Sequence, residues 1–302
     1  MSPIRIGVVG LGKIARDQHL PAIEENPRFE LAATVERAGA RTDLNFTDYR
    51  EMLARADPSA VAITTPPGPR YAIARDCIDA GKHVLLEKPP TATLAEIKEL
   101  RDRAEAGGVT IFTTWHAQHN AAVARAAELL RGRRVESMKI TWHEDVEKWH
   151  PGQRWIWQAG GFGVFDPGIN AFSIASKIFP GSLFVRSAEL LFPEGADTPI
   201  AAEIRFESPE MEGPLECSLD WRRTEGELWS IEIHTDGPLI ALLDGGSRLL
   251  IDGRVQETPG LAEYPDIYRR FAELVERGES EVDIVPLRLV ADCLLVGSRG
   301  SA

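Results

Sequence analysis

The chain has 302 residues, enough for about two domains of ordinary size. At 43% hydrophobic and 26% charged residues it has a globular composition, which excludes a fibrous or disordered protein. Thirty-four Lys+Arg against 46 Asp+Glu give a net charge of −12, so no nucleic-acid partner is expected. No apolar stretch approaches the ~18–20 residues of a membrane span, so no membrane association is expected either. Met1–Arg5 runs into an apolar strand without a signal-peptide layout. Cys77, Cys217 and Cys293 are far apart, odd in number and in no C-x-x-C pair; they read as buried thiols of a reducing compartment. A cytoplasmic protein is the expectation.

In chain order, Ile4–Val9 is a predicted strand and Ala15–Glu25 a helix ending before Pro27. Glu30–Val35 (strand), Asp48–Arg55 (helix) and Val61–Thr64 (strand) follow, the last stopped by the breaker run Pro66-Pro67-Gly68-Pro69. Tyr71–Ala80 reads as a helix closed by Gly81, His83–Leu86 as a strand, Leu94–Ala106 as a helix and Val109–Thr114 as a strand. Strands separated by helices of this length are βαβ units, hence a doubly wound parallel sheet. From about residue 119 the rhythm changes. After the helix Asn120–Leu130, the alternating runs Val135–Trp142, Leu183–Leu191, Ala201–Phe206, Pro214–Trp221 and Trp229–His234 have few helices between them. They predict a mostly antiparallel open sheet, with late helices at Pro265–Glu276 and Pro286–Gly297. The expected organisation is a Rossmann domain over 1–118 and an α+β domain over 119–302.

Gly10-Leu11-Gly12-Lys13-Ile14-Ala15 is a G-x-G-x-x-A between the first strand and its helix. Gly10 permits the tight turn, Gly12 lets the backbone approach a pyrophosphate, and Ala15 lets the helix pack close. Glu36 ends the second strand 21 residues after Ala15, where about 20 is expected for an acid gripping the ribose 2′-hydroxyl. A carboxylate there favours NAD; Arg37, next in sequence, leaves NADP open, since it can pair with a 2′-phosphate. Lys13 and Ile14 fall within the motif, and Thr65-Pro66 follows the third strand at the carboxyl edge where such sheets bind ligands. No metal is expected: His143-Glu144-Asp145-Val146-Glu147 lacks the second histidine of H-E-x-x-H.

Glu87-Lys88-Pro89-Pro90 follows the strand His83–Leu86. Together with the opening motif it resembles the Gfo/Idh/MocA oxidoreductases, and the resemblance covers the whole chain. It implies that Lys88 sits where nicotinamide and substrate meet, with Glu87 beside the cofactor and frequently a cis Lys–Pro bond. It also implies an aspartate and, four residues on, a histidine on a helix of the second domain. Here these are Asp166 and Asn170, whose spacing puts them on one helical face. An amide takes no proton at neutral pH, so the base is Lys88 or Asp166, with Asn170 orienting a hydroxyl. Asp166 also suits the N-cap of its helix.

The tracts Gly12–Ala22 and Trp149–Trp157 narrow the resemblance to aldose 1-dehydrogenases within that family. It implies oxidation of the anomeric C1 hydroxyl of a free aldose, such as L-arabinose or D-galactose, to the lactone. His116, Glu144, Trp149, Asn170 and Trp229 match the group's substrate-contacting positions, and a homodimer through the C-terminal sheet is implied. Tryptophans 149, 155 and 157 crowding one loop suit the apolar C–H faces of a sugar. A non-catalytic dinucleotide-binding sugar sensor, and a dehydrogenase of a secondary sugar or inositol hydroxyl, are the alternatives.

Overall fold

The computed structural model describes residues 2–36, 45–260 and 262–302. It opens with β1 (Ile4–Val9), a π-helical segment (Ala15–His19) running into α1 (Leu20–Glu24), β2 (Phe29–Val35) and β3 (Asn45–Phe46). Next come α2 (Tyr49–Arg55), β4 (Ala60–Ile63), α3 (Pro67–Asp79), β5 (His83–Leu86), α4 (Leu94–Gly107) and β6 (Ile111–Thr113). Among the described residues these strands form one six-stranded sheet, β3-β2-β1-β4-β5-β6, with every pair parallel. Every residue of β4 is buried, as an apolar run covered on both faces requires. The strand order turns back beside β1, so the carboxyl ends of β1 and β4 flank the switch point where doubly wound sheets take ligands. α3 starts inside the proline run, ahead of the predicted start at Tyr71. Pro67 is tolerated there because a helix's first turn leaves its N–H groups unbonded anyway.

The second sheet follows α5 (Ala121–Leu130) and is built from β7 (Val135–His143), then β8 (Phe184–Phe192), β9 (Ala201–Ser208), β10 (Met211–Asp220) and β11 (Leu228–Thr235). Between β7 and β8 lie α6 (Val146–Trp149), a 3-10 turn (Arg154–Trp157) and α7 (Phe165–Ile178). β12 (Ile240–Leu243), β13 (Arg248–Ile251) and β14 (Arg254–Gln256) complete one end; α8 (Glu263–Arg277), α9 (Val285–Val296) and β15 (Ser298–Ser301) close the chain. Among the described residues the order is β14-β13-β12-β11-β7-β10-β9-β8-β15, antiparallel except at β7/β10 and β8/β15. α7 lies so close to this sheet that a Cβ at Gly168 would stand 2.5 Å from Leu219 Cδ1 of β10. The outward residues alternate with the core, and Lys139, Glu203, Arg205 and Glu216 make that face polar.

The chain divides into two units, Met1–His116 with Ala262–Ile284 and Ala117–Leu261 with Val285–Ala302. α8, which the sequence reading left in a second domain of 119–302, thus belongs with the first sheet. Its Tyr264, Ile267, Tyr268, Phe271 and Leu274 recur at helical spacing and join one core with Ile6, Val8, Leu20, Ile23 and Phe29. The Phe29 and Phe271 rings stack at 6.2 Å. All three cysteines are buried, and no helix among the described residues is long and apolar enough to cross a membrane.

Candidate functional site

In the first unit the glycine turn leaves β1 with Gly10 at φ +98, a conformation that side-chain-bearing residues avoid. A Cβ there would also lie 3.0 Å from Thr65 N, so Gly10 allows the ends of β1 and β4 to approach. Gly12 is exposed, and a Cβ on it would meet nothing within 4 Å; its backbone edge is open to a ligand. Leu11 N donates to Glu36 Oε2 at 3.1 Å, which ties the acid at the end of β2 to the turn. Ala15 is fully buried against the sheet, while Lys13, paired with Asp17, and Ile14 are exposed. Thr65 is half-buried, with an Oγ1 that has no hydrogen-bond partner, and Pro66 beside it is exposed. An open backbone edge, a carboxylate one strand over and an orphaned hydroxyl at the next strand end fit a dinucleotide. Arg37 lies outside the described residues.

Lys88 is held at both neighbouring peptides. The Lys88–Pro89 bond is cis. Arg70, a buried cation of α3, donates to the carbonyls of Glu87, Pro89 and Thr65. Glu87, expected beside the cofactor, is only 3% exposed, and its oxygens serve the protein. Oε2 accepts from Lys88 N at 2.8 Å; Oε1 accepts from His19 Nε2 at 3.1 Å and Tyr264 OH at 2.7 Å. Burial alone would raise the Glu87 pKa, but hydrogen bonds from His19 and Tyr264 and the nearby imidazoles overcome it and bring it to about 2. The same burial, reinforced by Glu87, pushes the Tyr264 and Tyr268 hydroxyls well up. His116 lies 3.0 Å from Glu263 Oε2 and stacks on Tyr264 at 5.9 Å. Burial works to lower its pKa, but the Glu263 charge and hydrogen bond outweigh that and raise it.

The second unit gathers the remaining candidates. Glu144, 4% exposed at the end of β7, accepts from two indoles: Trp221 Nε1 at 3.0 Å and Trp229 Nε1 at 2.9 Å. Trp229 stacks on Trp142 at 5.7 Å and meets Trp149 at 5.8 Å; Trp149 itself is 40% exposed. Asp166 and Asn170 both lie on α7. The N-cap is Val164 rather than Asp166, which instead occupies the first turn, where the helix dipole favours a carboxylate. Asn170 Oδ1 is buried without a hydrogen-bond partner. His150 Nε2 stands 3.2 Å from Asp166 Oδ2. Among the described residues no group of three or more His, Cys, Asp or Glu could hold a metal ion.

Arg70, His19, Tyr264, Trp221 and His150 were missed in the sequence. Arg70 precedes the predicted helix Tyr71–Ala80, His19 lies in the tract Gly12–Ala22 with no partner legible from spacing, and Tyr264 is almost 180 residues from the acid it holds. His150 stood within the quoted tryptophan loop, but nothing in spacing alone linked it to Asp166.

Residues 4–115 match the family model described as an oxidoreductase family with an NAD-binding Rossmann fold, Gfo/Idh/MocA. The chain belongs to this oxidoreductase family. Over its full length it is 44% identical to galactose 1-dehydrogenase of Pseudomonas fluorescens, covering 98% of that protein. It is similar, at a TM-score of 0.96 and 45% identity, to the crystal structure of D-galactose-1-dehydrogenase from Rhizobium etli, covering 100% of this chain and 97% of that one. A 3-ketoreductase from Actinomadura kijaniata, 19% identical with a TM-score of 0.86 over 99% of both chains, shares the fold.

Proposed function

We propose that the protein oxidises the anomeric hydroxyl of a free aldose, D-galactose or L-arabinose, to the corresponding lactone with a nicotinamide dinucleotide. The observation that carries this reading is the end-to-end similarity, at 44 and 45% identity, to galactose dehydrogenases of two organisms. A bound nicotinamide supplies the acceptor for the hydrogen that leaves C1 with its electron pair. Gly10, Gly12, Lys13, Ile14, Thr65 and Pro66 hold the dinucleotide. Glu36, fixed by Leu11 N, takes the ribose hydroxyls and favours NAD over NADP.

The chain's own work is to bind the sugar and move one proton. Lys88 or Asp166 receives the proton from O1. Glu87 and Arg70 keep the Lys88 backbone fixed; where Asp166 takes the proton, a Lys88 ammonium stabilises the charge developing on O1, and where Lys88 takes it, Lys88 acts as the neutral amine. Trp149 and Trp229 offer faces to the apolar side of the ring; Glu144, Asn170 and His116 supply polar contacts to its hydroxyls. Glu144, by accepting from both Trp221 and Trp229, also sets the platform's tilt. The polar open face of the second sheet is the proposed contact between two copies of the chain.

The test is absorbance at the NADH wavelength with NAD or NADP and a panel of D-galactose, L-arabinose, D-fucose and D-xylose, with product identification. Reduction with a lactone product is expected. Dinucleotide binding without reduction, or a keto-sugar product, overturns the reading.

A further inference from the structure

The imidazole that the family resemblance leads one to expect at position 170 is absent, yet Asp166 has one beside it. His150, the C-cap of α6, brings Nε2 to 3.2 Å from Asp166 Oδ2. The two come from different elements, and both side chains are largely shielded, 18% and 10% exposed. The ring is fixed on its other sides. Nδ1 lies 3.3 Å from Gln153 Oε1, Trp155 meets the ring edge-on at 6.5 Å, and Trp221 lies across it at 5.3 Å. His150 N donates to Val146 O at 2.8 Å, anchoring the residue's backbone. Trp221 is in turn bonded to Glu144, so His150 joins the aromatic platform to the aspartate.

We propose that His150 is the positioning residue for Asp166, donating Nε2–H to Oδ2 so that the carboxylate is held ionised and in one orientation. This rests on the reading of Asp166 as a group acting at the sugar. A carboxylate drawn from water needs a donor or a countercharge; because Gln153 Oε1 already accepts from Trp155 Nε1 and faces Nδ1, the ring can serve both oxygens only as an imidazolium, which supplies both. The titratable group facing the ring from α7 is Asp166; from the end of β7, Glu144 lies behind Trp221; Gln153 and Trp155, from its own loop, bring none. Asn170, one turn along α7, cannot take over this part through a charge, because its amide does not titrate.

The test compares His150→Ala, His150→Gln and Asp166→Asn in the full chain, measuring kcat and KM for sugar oxidation between pH 5.5 and 9. His150→Ala is expected to lose about tenfold to hundredfold in kcat, the loss of one hydrogen bond to a charged group, with KM for the dinucleotide unchanged. Its acid limb moves to higher pH, since a carboxylate that has lost one donor protonates more readily. His150→Gln, which keeps an N–H donor, recovers most of kcat, so a variant that merely folds poorly is told apart from one that lacks the donor. Wild-type kcat and acid limb in His150→Ala, or His150→Gln as impaired as His150→Ala, overturn the proposal. Wild-type turnover in Asp166→Asn instead removes Asp166 from the chemistry, and the role given to its partner falls with it.

Discussion

Glu87→Gln takes one negative charge out of the core of the first unit and leaves its shape almost unchanged. Three donors converge on that carboxylate: Lys88 N, His19 Nε2 and Tyr264 OH. A glutamine offers one oxygen, and its NH2 must then face a donor, so at least one hydrogen bond becomes a donor–donor contact. The size of the effect follows from the depressed pKa. A fall from 4.5 to about 2 on folding corresponds to about 3 kcal/mol at pH 7, at ~1.36 kcal/mol per pH unit. Because the folded value is the lower one, this stabilisation is complete above about pH 4.5 and fades as the pH falls toward 2. At pH 3.5 about 2 kcal/mol should remain. Urea unfolding followed by circular dichroism at both pH values measures the difference between wild type and variant. A gap that is the same at pH 7 and pH 3.5, or under about 1 kcal/mol at pH 7, refutes the idea that Glu87 is held ionised by its neighbours.

The other predictions concern binding and turnover. Gly12→Ala should fold normally, with nothing within 4 Å of the added methyl, yet weaken dinucleotide binding at least tenfold in a fluorescence titration. Gly10→Ala should lower stability as well, by about 1–3 kcal/mol, because it forces an unfavourable φ against Thr65; a melting curve separates the two. Glu36→Ser should raise the ratio of kcat/KM for NADP over NAD by tenfold or more, which initial rates with both dinucleotides would detect. Lys88→Met should lose on the order of 10²–10⁴ in kcat while dinucleotide affinity stays near that of the wild type; retained turnover removes the lysine from the chemistry.

What the sequence disclosed was local or periodic. Ile4–Val9 and His83–Leu86 coincide with β1 and β5, because a buried parallel strand reads as a nearly unbroken apolar run. The glycine turn and Glu36 were legible because a tight turn and a strand end constrain residue type at fixed spacing. The short strands β12, β13 and β14 were not: four or fewer residues give too little alternation to stand out. α8 showed its helical period but not its partner, since periodicity names an apolar face and not the sheet it covers. The support of Lys88 was hidden for a similar reason. An acid beside a lysine looks solvated until His19 and Tyr264, distant in sequence, are brought onto it.

The return of α8 to the first sheet bears on how the protein is made. A nascent chain that has emerged only through β6 holds all six strands but lacks Tyr264, Tyr268 and Phe271, which cover one of their faces. Such a fragment would show bare aromatic and aliphatic surface to water until nearly the last residues leave the ribosome. Stop codons or frameshifts anywhere before residue 277 should therefore yield insoluble, protease-sensitive material and not a free nucleotide-binding module.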